Sequence, residues 1–157
     1  FADGAAAAVI AAGTSPDAPE LAAFGSTLLP DSQDLMAWRI GDHGFEMTLD
    51  PRVPAHLARH VPPWVDALLT RQKLRRQDVG AWAIHPGGPR IVRTLVEALG
   101  LPATIADPSL AVLREHGNMS SPTLLFILDR LICCRAPRPW VALAFGPGLA
   151  GEALILR

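Results

Sequence analysis

The amino-acid sequence predicts a layered α/β fold built on a mixed sheet. Short apolar runs of strand length alternate with longer segments of helical periodicity. Gly and Pro stand at nearly every boundary between them. The chain closes on two apolar runs, 140–145 and 152–156, joined by Gly146-Pro147-Gly148, which reads as a hairpin. Strands interleaved with helices put helical layers on a sheet. At 157 residues, half of them apolar, the chain is large enough for one domain with a real core.

Residues 4–13 are small and apolar, end at Gly13, and predict a buried first strand. Turn chemistry fills 14–20. The run 21–29 predicts a second strand, stopped by Pro30-Asp31. Alternation in 38–40 and 45–49 around Gly41-Asp42-His43-Gly44 predicts a hairpin. Pro51 and Pro54 open a helix whose apolar face is Leu57, Val61, Val65, Leu68 and Leu69, and Pro62-Pro63 predict a break or kink between two segments of it. Residues 81–84 read as a short buried strand that runs into the loop His85-Pro86-Gly87-Gly88-Pro89. Pro89 starts a helix with Ile91, Val92, Leu95, Val96 and Leu99 inward, ended by Gly100. A short helix over 109–116 ends at Gly117, and Ser120 or Ser121 caps another that begins at Pro122.

Composition narrows the function. A net charge of −1 leaves no electrostatic footprint for nucleic acid or an anionic membrane. The local basic group Arg71, Lys73, Arg75 and Arg76 reads as a solvated helix end, with a CoA phosphate contact as the alternative. Two adjacent cysteines, Cys133 and Cys134, give no disulfide framework, so a reducing, cytoplasmic setting is expected. No His/Cys cluster has metal spacing, and His56 and His60, four apart, have no third ligand, so no metal is expected. The apolar opening is too short to span a bilayer and lacks a cationic start. It also lacks an initiator Met, which predicts that the chain is cut from something longer.

His85 ends a strand and enters a Gly/Pro loop, where α/β sheets place ligand-contacting groups. Gly87 and Gly88 then offer backbone freedom or close approach. Asn118 stands before a helix, as a cap or turn residue or as an amide aimed at a developing oxyanion. Trp38, Trp64, Trp82 and Trp140 are assigned to the core. Neither a phosphate-binding loop, a dinucleotide fingerprint nor a serine-hydrolase elbow is present.

The segments 82–89 (Trp-Ala-Ile-His-Pro-Gly-Gly-Pro), 117–121 (Gly-Asn-Met-Ser-Ser) and 145–148 (Phe-Gly-Pro-Gly) resemble, in that order, the chalcone and stilbene synthases, the type III polyketide synthases. Residues 27–32 and 1–7 resemble family segments too, and the 33 residues from His85 to Asn118 fit its spacing. The resemblance implies a thiolase-like half-domain over 1–157, with helices layered on a five-stranded mixed sheet and the first half of the fold absent. It implies His85 and Asn118 as catalytic residues, acting with a cysteine of the missing N-terminal half. Met47, Gly87, Gly88, Met119, Ser120, Phe145, Gly146, Pro147 and Gly148 would shape the cavity, Met47 standing where plant members have a gatekeeping Phe. Ala144 replaces the usual Gly. Cys133 and Cys134 match no nucleophile position. Malonyl-CoA and an acyl-CoA are the implied substrates with no cofactor, and the partners are the N-terminal half and a second subunit. A fatty-acid-type ketoacyl synthase using acyl-carrier protein, or a non-catalytic dimerisation half, are the alternatives.

Overall fold

The computed structural model describes residues 1–13 and 18–157. Among these described residues six strands and four α-helices follow one another: β1 (Leu21–Leu28), β2 (Met36–Gly41), β3 (Gly44–Leu49), α1 (Val53–Arg71), β4 (Ala81–Ile84), α2 (Pro89–Ala98), α3 (Asp107–His116), α4 (Ser121–Cys133), β5 (Trp140–Gly146) and β6 (Ala150–Leu156). The main sheet has the order β1-β6-β5-β4, with β4 parallel to β5 and the other pairs antiparallel. β2 and β3 form a separate hairpin.

Strand alternation sorts the core into two layers. Trp82, Ile84, Val141, Leu143, Ala153 and Ile155 pack with buried residues of α1 and α2. Ala81, Ala83, Trp140, Ala142 and Leu156 face Val112 of α3 and Ile127 and Leu131 of α4. The alanines on this second face leave room for the helices to lie close. Helical layers on both faces of a mixed sheet are the architecture the sequence predicts.

Four expectations change. The main sheet has four strands among the described residues, because 4–13 join no ladder and lie exposed. They do not pair although β1 and β4 each keep an open edge among the described strands, and just before them Ala2 N–H donates to the Asn118 carbonyl at 2.8 Å. The turn expected over 14–20 falls mostly outside the described residues. Of the break or kink expected at Pro62 and Pro63, the break is not found, and α1 runs through both. Burying Leu57, Val61, Val65, Leu68 and Leu69 contributes roughly 1.5–3 kcal/mol each, against about 3 kcal/mol for each interior proline, so packing prevails. Ser120 occupies the N-cap of α4 but its hydroxyl caps nothing. Trp82 and Trp140 are buried as expected, Trp64 is half-buried, and Trp38 lies outside the core, at 47% exposure.

The remaining large apolar side chains are unevenly placed. Phe24 and Leu28 on β1, and Ile40 and Phe45 on the hairpin, are 72–86% exposed. Beyond the end of α1, Arg75 of the basic group pairs with Asp78, and Arg76 reaches back to Asp66 within α1, which leaves them as neutralised surface pairs.

Candidate active site

A cavity of about 130 Å³ opens beyond the carboxyl ends of the parallel pair β4 and β5. Its walls come from four places: the end of β4 (His85, Gly87), the end of β5 (Phe145, Gly146, Pro147), the α3–α4 loop (Asn118, Ser120) and the hairpin. The hairpin offers two of the three opposed pairs on one face. Met36 stands opposite Leu49 and Trp38 opposite Met47, and all four line the cavity. Leu57 of α1, Ile91 of α2 and Phe1 complete it.

The structure thus brings together His85, Asn118, Met47, Gly87, Ser120, Phe145, Gly146 and Pro147, although 33 residues separate the first two in sequence. Three of the expected cavity residues stand elsewhere. Met119 points the other way along the loop and is buried against the α3–α4 face, where Gly4 packs on it. Gly88 is the N-cap of α2 in an extended conformation, φ 176°, with open space where a side chain would go. Gly148 makes the β5–β6 turn at φ +131°, a conformation that favours glycine, and rests on Leu28. The sequence reading missed Trp38, Met36, Leu49, Leu57, Ile91 and Phe1. Hairpin alternation was a signal for the first three, since residues directly opposite share a face.

His85 is held by its main chain. Its N–H donates to the Leu143 carbonyl at 2.8 Å, and its carbonyl accepts from Gly87 N–H at 3.1 Å, which turns the chain sharply away from β4. The imidazole is half-buried, and desolvation pushes its pKa below the usual histidine value of 6.5. It is therefore neutral at neutral pH, with one N–H to donate and one nitrogen to accept.

Asn118 is oriented by a turn of its own making. Its Oδ1 accepts the Ser120 N–H at 2.9 Å, a short Asx turn, with Ser120 at φ +64°. The oxygen is thereby engaged and the amide NH₂ is the group left for the cavity. The turn role and the donor role coexist in one side chain.

Among the described residues no Asp, Glu, Lys or Arg lines the cavity, and His85, Asn118 and Ser120 stand among the apolar side chains there. Hydrogen bonds are electrostatically stronger in such surroundings than in water. The pocket is therefore suited to an oxygen that gains negative charge, met by an imidazole N–H and an amide N–H. Cys133 and Cys134 are exposed at the far end of α4 and do not reach it. Among the described residues no group of three His, Cys, Asp or Glu could hold a metal ion, and no helix is long and apolar enough to cross a membrane. The rings of His56 and His60 stack at 4.4 Å.

Because burial lowers the His85 pKa, the unfolded chain binds this proton more readily than the folded chain. Stability from His85 is present above pH 6.5 and declines as the pH falls below it. The urea midpoint should drop on crossing from above to below pH 6.5, and His85→Gln should remove part of that drop. His60, whose pKa is also lowered by burial and then by His56, contributes in the same direction in both proteins. An identical pH dependence in parent and variant would refute the assignment.

The model of the C-terminal domain of chalcone and stilbene synthases matches residues 20–157. The chain belongs to the chalcone and stilbene synthase family. Among its relatives, a 1,3,6,8-tetrahydroxynaphthalene synthase of Streptomyces peucetius subsp. caesius is 36% identical over all of this chain and 44% of its own length. A 3,5-dihydroxyphenylacetyl-CoA synthase of Streptomyces toyocaensis is 33% identical over all of this chain and 43% of its own. The crystal structure of PKS-I from the brown alga Ectocarpus siliculosus superposes with a TM-score of 0.88 at 29% identity, covering 93% of this chain and 41% of that one. The type III polyketide synthase domain of Steely1 from Dictyostelium superposes at 0.82 with 27% identity, covering 88% and 40%. This family member thus has the thiolase-like fold of the type III polyketide synthases and spans less than half the length of the relatives it matches. Residues 1–19 lie outside the matched domain.

Proposed function

We propose that the chain is the C-terminal half of a polyketide-forming acyltransferase, in which His85 and Asn118 bind the thioester carbonyl of malonyl-CoA. The observation that carries this reading is the convergence of the two side chains on one small, largely apolar cavity at the strands' carboxyl ends. Both donate to the same carbonyl oxygen. As the bond to the carboxylate breaks and CO₂ leaves, its electron pair moves onto that oxygen, and the two donors meet the enolate as it forms. The enolate carbon then attacks an acyl group held as a thioester on a cysteine. A new C–C bond forms, the C–S bond breaks, and the thiolate is released. That cysteine is assigned to the N-terminal half of the same polypeptide, since neither cysteine here reaches the cavity. A thiolate beside His85 would favour its protonated form and be stabilised in turn as an ion pair. The exposed Phe24, Leu28, Ile40 and Phe45 are the surface that the other half, and a second subunit, would cover.

Met47 sits opposite Trp38 on the cavity wall, where a flexible thioether adapts to the starter acyl group more readily than a rigid ring. The test is product analysis of the full-length protein with a panel of acyl-CoA starters and either malonyl-CoA or malonyl-carrier protein as extender. Extended products from malonyl-CoA, and none from this half alone, are expected. Products only from malonyl-carrier protein would point to a ketoacyl synthase, and no acylation by any starter to a non-catalytic half.

A further inference from the structure

Three polar side chains are buried among the described residues: Ser32, Ser109 and Thr123, none more than 1% exposed. A buried hydroxyl costs free energy unless it is hydrogen-bonded, so each position calls for a reason. Ser32 binds the β5–β6 turn, accepting the Leu149 N–H while its single proton goes to one of two carbonyls in reach, Leu29 at 2.7 Å or Gly148 at 2.9 Å. The other two each hold one main-chain N–H, and each of those lies next in sequence to a cavity donor. Ile84 N–H, before His85, donates to Ser109 Oγ at 3.1 Å. Met119 N–H, after Asn118, donates to Thr123 Oγ1 at 2.8 Å.

We infer that Ser109 and Thr123 are positioning residues, which set where His85 and Asn118 stand relative to one another. The inference rests on the reading of those two side chains as the paired donors. β4 pairs only with β5 among the described strands. Because His85 N–H points to β5, the Ile84 N–H before it points off the sheet edge. Ser109 meets it there from α3, the helix that leads directly into Asn118. One hydroxyl therefore ties the strand that bears the imidazole to the helix that delivers the amide. On the far side of Asn118, the peptide unit between residues 118 and 119 is gripped on both edges. Its carbonyl accepts from Ala2 N–H at 2.8 Å, and its N–H donates to Thr123. A peptide plane so held cannot rotate, and the Asn118 side chain is fixed with it. Thr123 grows from the first turn of α4, so the loop between the two helices is anchored from both.

The test compares Ser109→Ala and Thr123→Val, which remove the hydroxyl with little change of volume, with Thr123→Ser, which keeps it. Leu69→Ala, in the core of α1, serves as a purely destabilising control. In malonyl-CoA decarboxylation by the full-length protein, kcat should fall roughly tenfold to a hundredfold in the first two with KM nearly constant, since small displacements of catalytic groups cost that much. Thr123→Ser should restore it, and Leu69→Ala should lower Tm while sparing kcat. Lowered Tm with unchanged kcat in both hydroxyl variants would overturn the inference. A second readout is independent of the reaction. Asn118 is the sole asparagine of these 157 residues, and in the asparagine-selectively ¹⁵N-labelled full-length protein its side-chain amide pair is the one that disappears in Asn118→Asp. Its heteronuclear NOE should mark a rigid group in the parent and in Leu69→Ala, and a mobile one in Thr123→Val. An equally rigid amide in Thr123→Val would overturn the positioning role whatever the activity. An unsubstituted full-length protein that leaves malonyl-CoA intact would instead overturn the function while this readout still decided the positioning.

Discussion

Asn118→Asp is expected to lower kcat for malonyl-CoA decarboxylation by the full-length protein about 10²–10³-fold, the usual consequence of losing one oxyanion donor. Aspartate is the informative replacement because Asn118 uses its two side-chain heteroatoms differently. The oxygen accepts the Ser120 N–H and makes the turn, and aspartate keeps that acceptor. What disappears is the NH₂ that lines the cavity, with a negative charge in its place. The developing enolate then meets repulsion where it had a donor. A variant that folds as the parent does, by circular dichroism and melting temperature, but loses turnover supports the donor role. A variant with parental turnover would mean that Asn118 serves only the turn.

Gly80→Ala has the largest expected effect on folding. A methyl group at Gly80 would be driven into the Pro137 main chain, 2.5 Å from its carbonyl carbon. Backbone cannot move aside as the tip of a side chain can. The approach is also fixed from the other side, since Gly80 N–H donates to the Pro139 carbonyl at 2.8 Å just before β4 begins. Forcing the two segments apart would pull β4 from β5, which meet at Ala81 and Trp140. Destabilisation of roughly 3 kcal/mol or more is expected, at the upper end of overpacking changes. Urea midpoints of parent and variant measure it. Gly88→Ala is the control, because that residue is extended and faces open space, and its midpoint should stay near the parent's. A Gly80→Ala midpoint equal to the control's would show that the contact yields easily.

The secondary structure was largely legible in local patterns. Gly100 at φ +66° and Gly117 at φ +76° end α2 and α3 where they were expected. The alternation in 38–40 and 45–49 marked the hairpin that forms as β2 and β3. Errors came where a local rule met a non-local one. Pro62 and Pro63 argue for a break only until the buried stripe of α1 is counted. Residues 4–13 have strand composition, yet a strand exists only where another edge accepts its hydrogen bonds. The candidate site was legible in part: His85, Asn118 and the β5–β6 turn stood out as short motifs, whereas Gly88, Gly148 and Met119 were drawn in by adjacency. Neighbours in a sharp turn point in different directions, so being next to a cavity residue says little about facing the cavity.

From the sequence alone came the layered α/β class, the family resemblance and the two side chains with donor chemistry, because these depend on residue type, period and spacing along one segment. Only the tertiary structure decided that the hairpin face with Met36 and Trp38 closes the cavity, that burial keeps His85 neutral, and that the Asn118 amide nitrogen is left free by its own turn. Ser109 and Thr123 carry no motif and acquire meaning only through the main-chain N–H groups they face. The physical reason is range: periodicity records how a segment relates to itself. Desolvation and hydrogen-bond geometry depend on segments tens of residues apart, brought together only when the core packs.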